Sequence, residues 1–167
     1  MIKLNLIKGR DLTKNIYLKI AFKKVSSKSD IVEKAIGKIT RSKYCHCELV
    51  IDDIWISSNY ETGVTIETSK VIDNEDWVFY EFPVIEVMTR DYNIILDYIK
   101  KQDDKKYDIL GIILSQLIPI SIHNRKKYFC SEITSRILQL FLIEEVLDIV
   151  PNNTSPGDLA KIFNMEK

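Results

Sequence analysis

A change of hydrophobic period near the middle of the chain limits the folds open to it. As far as Pro83, apolar residues recur mainly at every second position; beyond it they recur at helical spacing. Residues 16–22 alternate around Tyr17 and Lys19, and 44–51 alternate again. Ile54-Trp55-Ile56, 64–67 and 77–82 supply further strands, with Pro83 ending the last and 57–63 reading as a polar turn. One helix interrupts them over 30–40, capped by Ser29, with Ile31, Val32, Ala35, Ile36 and Ile39 as its apolar face. Helices then dominate: one capped by Thr89, one over 107–117 stopped by Pro119, and one from Cys130 to about Phe141. A short closing helix is capped by Ser155, with Pro156 at its first position and Asp158 three residues past the cap. Strands in one half and helices in the other predict an α+β fold, an antiparallel sheet packed on helices.

The chain has 167 residues, 46% of them hydrophobic, enough for one core, and we expect a single domain over 1–167. Lys plus Arg equal Asp plus Glu at 24 each, so no global field gathers nucleic acid or an acidic membrane. Residues 1–13 carry Lys3, Lys8, Arg10 and Asp11 without the apolar run of a signal peptide. The stretch 109–122 is interrupted by Gly111, Ser115, Gln116 and Pro119 and is too short to span a bilayer. These features predict a cytoplasmic protein, without stable membrane insertion. Three cysteines, two of them close together on one strand, argue against a disulfide framework.

Tyr128-Phe129-Cys130-Ser131-Glu132 carries the first chemical signal. Ile133, Ile137, Leu138 and Phe141 follow at helical spacing, so Cys130 stands at the start of a helix. The partial positive charge there favours a thiolate and makes Cys130 a candidate nucleophile. The competing reading is a small packed hydrophobe. The second signal is the strand 44–51, whose alternation places His46, Glu48 and Val50 on one face and Cys45, Cys47, Leu49 and Ile51 on the other. A thiol nucleophile needs an imidazole and a polar group to orient the ring, and His46 and Glu48 are candidates for these. Zinc would use Cys45, His46, Cys47 and Cys130, but the alternation separates His46 from the strand cysteines. His123 reads as a loop residue, 125–127 as a solvated basic run, and Glu144 and Glu145 as solvent-facing.

Tyr44-Cys45-His46-Cys47-Glu48-Leu49-Val50 and Tyr128-Phe129-Cys130-Ser131-Glu132 resemble the histidine strand and nucleophile motif of the circularly permuted papain-like proteins. This is the branch of the NlpC-type superfamily that includes YiiX-like and lecithin:retinol acyltransferase-like proteins. The order of Asp30-Ile31-Val32, Ser57-Ser58, Gly63-Val64, Tyr107-Asp108 and Ser155-Pro156-Gly157-Asp158-Leu159 is similar too, so the resemblance covers about 16–163. The segment from Ser57 to Val64 resembles a phage-encoded subgroup, which implies a viral source, with host cytoplasm or virion as location. The resemblance implies a Cys–His hydrolase or acyltransferase without a cofactor, acting on a cell-wall peptide, a lipid ester or a protein tail. It also implies a third polar residue on the following strand, where Ser57 is the nearest equivalent. Serine orients imidazole less well than a carboxylate, so Glu48 is the preferred candidate, with a solvated strand carboxylate as the alternative. Tyr128 is a candidate oxyanion donor or a packed aromatic. A catalytically degenerate binding module or virion component is the competing class of function.

Overall fold

The computed structural model describes residues 12–68, 70, 72, 75–103, 105–107 and 127–166. Within them the protein is α+β. The chain forms β1 (Thr13–Ile16), β2 (Leu18–Lys24), α1 (Ile31–Thr40), β3 (Tyr44–Ile51), β4 (Ile54–Asn59), β5 (Gly63–Thr68), β6 (Trp77–Glu81) and β7 (Ile85–Met88). It continues with α2 (Thr89–Lys100), two-residue strands β8 (Lys106–Tyr107) and β9 (Lys127–Tyr128), α3 (Cys130–Leu140) and α4 (Pro156–Ile162). The main sheet is antiparallel in the order β5-β4-β3-β2-β6; β1 pairs with β7, and β8 runs parallel to β9.

One face of the sheet makes the core. Leu18, Ile20 and Phe22 of β2 and Cys47, Leu49 and Ile51 of β3 pack with Ile133, Ile137 and Leu138 of α3 and Ile95 and Ile99 of α2. The strand register puts Phe22 opposite Cys47 and Ile20 opposite Leu49, so each pair buries together. Among the described residues no helix is long and apolar enough to cross a membrane.

Several local expectations are corrected by packing. Asp30 caps α1, accepting from the Glu33 N–H at 2.8 Å, while the Ser29 hydroxyl accepts from Ser26 N–H. Ile31 is 85% exposed, since five residues before Ile36 is about 140° round a helix and off the buried stripe of Ile36, Gly37 and Thr40. Thr89 is the first helical residue rather than a cap; the chain enters α2 from β7, and the Thr89 N–H is taken by the Leu12 carbonyl at 2.7 Å. Residues 57–59 continue β4 because β5 pairs with it along its whole length, from Ile54–Thr68 to Asn59–Gly63. β7, outside the strand pattern read from sequence, forms against β1. Tyr107 lies in β8; the rest of the helix expected over 107–117, and His123, fall outside the described residues.

The closing segment locks onto the histidine strand. Ser155 makes the capping box with Asp158, and Pro156 begins α4. Ser131 on α3 donates to the carbonyl of Thr154 at 2.7 Å, and the Tyr44 hydroxyl donates to the carbonyl of Met165 at 2.8 Å. Gly157 lets α4 approach Ser42 so closely that a Cβ would overlap the serine side chain. Ser42 cannot easily retreat, because its hydroxyl donates to Glu166 at 2.6 Å and accepts from the Tyr44 N–H at 3.0 Å. Gly157→Ala should therefore cost about 1–3 kcal/mol of overpacking, read as a lower midpoint in urea unfolding. An unchanged midpoint would show that this contact relaxes freely.

Candidate active site

Two irregularities shape the sheet where His46 stands. The β2–β3 register runs regularly to Lys23–His46, and the next pair is Lys24–Tyr44, which leaves Cys45 as the extra residue of a bulge. A bulge bends its strand and re-aims neighbouring side chains. In addition, β3–β4 pairing stops at Leu49–Ile56. Continued, that register would set Glu48 across from Ser57 and His46 across from Asn59. The helix α3 packs against both of these strands.

There the sulfur of Cys130 is in hydrogen-bonding contact with the His46 ring, and with both the thiol and the backbone N–H of Cys47. His46 Nε2 lies 3.1 Å from Glu48 Oε1 and 3.4 Å from Ser57 Oγ. Ser57 donates to Glu48 Oε1 at 3.0 Å. Lys70 Nζ donates to both carboxylate oxygens of Glu48, at 2.8 and 2.9 Å. The Trp77 ring meets the His46 ring edge-on at 6.0 Å, and Lys70 Nζ lies 5.9 Å from the centre of the Trp55 ring. Phe129, the residue before α3, caps nothing with its side chain, so the positive end of the helix is left for the sulfur.

The electrostatics follow from this geometry. Burial alone would raise the Cys130 pKa, but the hydrogen bond from Cys47 and the charge and hydrogen bond of His46 hold it well below its ordinary value. Burial pulls the His46 pKa down; the Cys130 charge, the bond to Cys130 and then Glu48 outweigh it and lift it to about 10. Burial likewise pushes Glu48 up, and the bond and charge of His46, followed by Lys70, bring it down to about 2. The other thiols go the opposite way. Burial and contact with Cys130 raise Cys47 well above its ordinary value, and burial pushes Cys45 up to about 12. The result is a row of alternating charge: thiolate, imidazolium, carboxylate, ammonium.

Cys130, His46, Glu48 and Ser57 are thus brought into one cluster. Glu48 is only 2% exposed and is not a solvated strand carboxylate. The alternatives of Glu48 and Ser57 are not exclusive, because the serine donates to the carboxylate that faces the ring. The Tyr128 side chain and His123 lie outside the described residues. Sequence reasoning missed Cys47 and Lys70. Strand alternation assigned Cys47 to the far face, and the backbone N–H it offers carries no residue signature. Lys70 sits 22 residues beyond Glu48 with no motif around it. Glu132 and Ser131, of the cysteine motif, have structural partners: Glu132 accepts from Arg136 at 2.9 Å, and Ser131 bonds the Thr154 carbonyl. Among the described residues no group of three or more His, Cys, Asp or Glu side chains is arranged to hold a metal ion.

A buried thiolate beside an imidazolium can attack an electrophilic carbon, and the imidazolium can then protonate what leaves. Set against family models, curated proteins and solved structures, the chain matches none of them, and the site is read from its own geometry.

Proposed function

We propose that this protein is a cysteine-dependent hydrolase or acyltransferase of circularly permuted papain-like topology, acting on an amide or ester bond. The observation that carries the reading is an arrangement: the Cys130 thiol at a helix start stands beside the His46 ring, whose Nε2 lies 3.1 Å from the buried carboxylate of Glu48, and of the three buried thiols only this one has its pKa lowered. In this reaction the Cys130 sulfur adds to the acyl carbon and the carbonyl electron pair moves onto oxygen. The backbone N–H of Cys130, at the uncapped helix start, is the proposed donor to that oxyanion, with Tyr128 as a candidate second donor. When the pair returns, the C–N or C–O bond breaks and the leaving group takes the proton from His46. His46, now neutral, removes a proton from water or an acceptor alcohol or amine, which attacks the thioester and frees Cys130. Glu48 positions the ring and stabilises its charged form; Ser57 and Lys70 hold Glu48.

The test is limited alkylation with iodoacetamide at pH 6, followed by peptide mapping, and then acetyl transfer from p-nitrophenyl acetate. Label should concentrate on Cys130 over Cys45 and Cys47, and an acetyl-Cys130 should form and turn over. Even labelling of the three thiols would sink the reading. One observation favours a second reading: Cys130 is completely buried, as suits a degenerate cleft kept for recognition. That reading expects no acetyl-Cys130.

A further inference from the structure

A second thiol stands against the nucleophile. The Cys130 sulfur is in hydrogen-bonding contact with the Cys47 thiol and with the Cys47 backbone N–H, so it lies beside that residue's side chain and main chain together. The Cys47 sulfur also lies 3.9 Å from Thr134 Oγ1, one helical turn past Cys130. Both cysteines belong to the core cluster in which β3 packs on α3. Such an approach of two sulfurs is what a disulfide requires. Cys45 is placed differently. Its thiol donates to the Lys23 carbonyl at 3.6 Å, and it packs with Ile36 and Phe129.

All three cysteines are free thiols without exposed surface. Burial raises the Cys47 pKa first, and the hydrogen bond and charge of Cys130 raise it further. Converting Cys130 to a neutral sulfenic acid removes that charge, so Cys47 becomes easier to ionise just when its thiolate is required. Contact also gives Cys47 the advantage of proximity over any thiol in solution. A nucleophilic sulfur with a second cysteine poised next to it is the arrangement of redox-sensing pairs.

We propose that Cys47 is the resolving cysteine of a peroxide-sensitive pair, and that a hydroperoxide joins it to Cys130 in a reversible disulfide that switches the nucleophile off. The proposal needs the nucleophilic sulfur of Cys130 and no acyl transfer. With hydrogen peroxide, the Cys130 thiolate attacks one oxygen and the O–O bond breaks. The hydroxide that leaves takes the proton of His46 and becomes water, leaving Cys130 as sulfenic acid. Neutral His46 then accepts the Cys47 proton, and the Cys47 thiolate attacks the Cys130 sulfur. As the S–S bond forms, the S–O bond breaks and hydroxide leaves with that same proton as a second water. Each sulfur is oxidised by one electron, and peroxide is reduced to two waters. The bridge also shields Cys130 from the sulfinic acid that further peroxide would make.

The experiment uses the full chain, reduced with dithiothreitol, desalted and treated with hydrogen peroxide. The intact mass should fall by two hydrogen atoms in a chain that stays monomeric. Mapping without reduction should join the Cys130 tryptic peptide to the one that holds Cys45 and Cys47. Cys45→Ser should still form the link, and Cys47→Ser should not. In the wild type, iodoacetamide labelling of Cys130 should be lost as the link forms and return in full with dithiothreitol. In Cys47→Ser it should be lost without return, as Cys130 passes through a sulfenic acid that dimedone traps and gains two oxygen atoms. Cys47→Ala serves in its place if the serine variant fails to fold. A link through Cys45, a wild-type loss that dithiothreitol does not reverse, or labelling untouched by peroxide overturns the switch. A disulfide without turnover of acetyl-Cys130 keeps the switch and removes the acyl-transfer reading; turnover without the disulfide does the reverse.

Discussion

Replacing His46 by Ala should slow alkylation of Cys130 at pH 6 by up to about 300-fold, the ceiling for a thiol that returns from complete ionisation to a pKa of ~8.5. The variant keeps the burial that raises the Cys130 pKa and loses the ring charge and bond that lower it. Its rate should therefore climb through a midpoint at or above the ordinary cysteine value, whereas the wild-type midpoint should lie well below that value. The measurement is the pH dependence of iodoacetamide labelling, with circular dichroism to confirm folding. If the variant stays as fast as wild type at pH 6, the helix end and Cys47 are enough to ionise the thiol, and His46 has no part in activating it.

Glu48→Gln separates the role of the carboxylate from its shape. In the wild type the imidazolium persists until His46 titrates near pH 10, so acyl transfer should hold its rate up to that range. The variant removes the bond and charge through which Glu48 raises His46. Its alkaline limb should move down towards 6.5, the ordinary histidine value, although the Cys130 charge keeps it from arriving there. Stability responds on both sides. Glu48 is held at about 2 against an ordinary 4.5, so its contribution is fully present above pH 4.5 and is lost as the pH falls towards 2. His46 is raised from 6.5 to about 10, so its contribution is present below pH 6.5 and is lost as the pH rises towards 10. Cys130, held well below its ordinary 9, contributes in the opposite sense, gaining as the pH rises to 9 and offsetting the His46 loss, so wild-type stability should be greatest between about pH 6.5 and 9, with a fall on either side. The variant should lose the part of the acid slope below pH 4.5, show a changed alkaline one, and be less stable by roughly 3 kcal/mol at neutral pH, the order expected when one member of a buried ion pair is removed. Lys70 can turn part of its side chain to water, as it is already 26% exposed, which keeps the cost at the lower end. Ser57→Ala removes one hydrogen bond to Glu48, about 1 kcal/mol, and should leave the alkaline limb near its wild-type position. If the serine variant shifts the limb and the glutamine variant does not, the orienting group is Ser57.

Lys70 adds a balance that the catalytic pair alone does not reveal. Its ammonium keeps Glu48 ionised in a buried place, yet it also draws on the same carboxylate that holds His46. Charge in the row therefore alternates and sums to zero, which limits the cost of burying it. Cys47 works at the other end: its backbone N–H and thiol both lower the Cys130 pKa, and the thiol also reaches Thr134 Oγ1 at 3.9 Å. Neither residue lies on the His46 face by simple alternation and neither belongs to a motif, so both depend on how the elements meet.

The sequence by itself determined the elements whose cause is local. The period-two run at β3 and the cap, proline and acid that begin α4 were legible because side-chain alternation and backbone capping act within a few residues. The start of α3 at Cys130 was legible for the same reason. Position along the strand also fixed that His46 and Glu48 share a face. Only the tertiary structure decided what that face touches. The bulge at Cys45 and the end of β3–β4 pairing at Leu49–Ile56 are set by neighbouring strands. β7 exists because β1 pairs with it, and Ser57 lies in a strand because β5 covers the whole of β4. The thiolate is decided at this level too, since its stability comes from a ring, a thiol and an N–H that stand more than 80 residues away in the chain and meet it only in the folded protein.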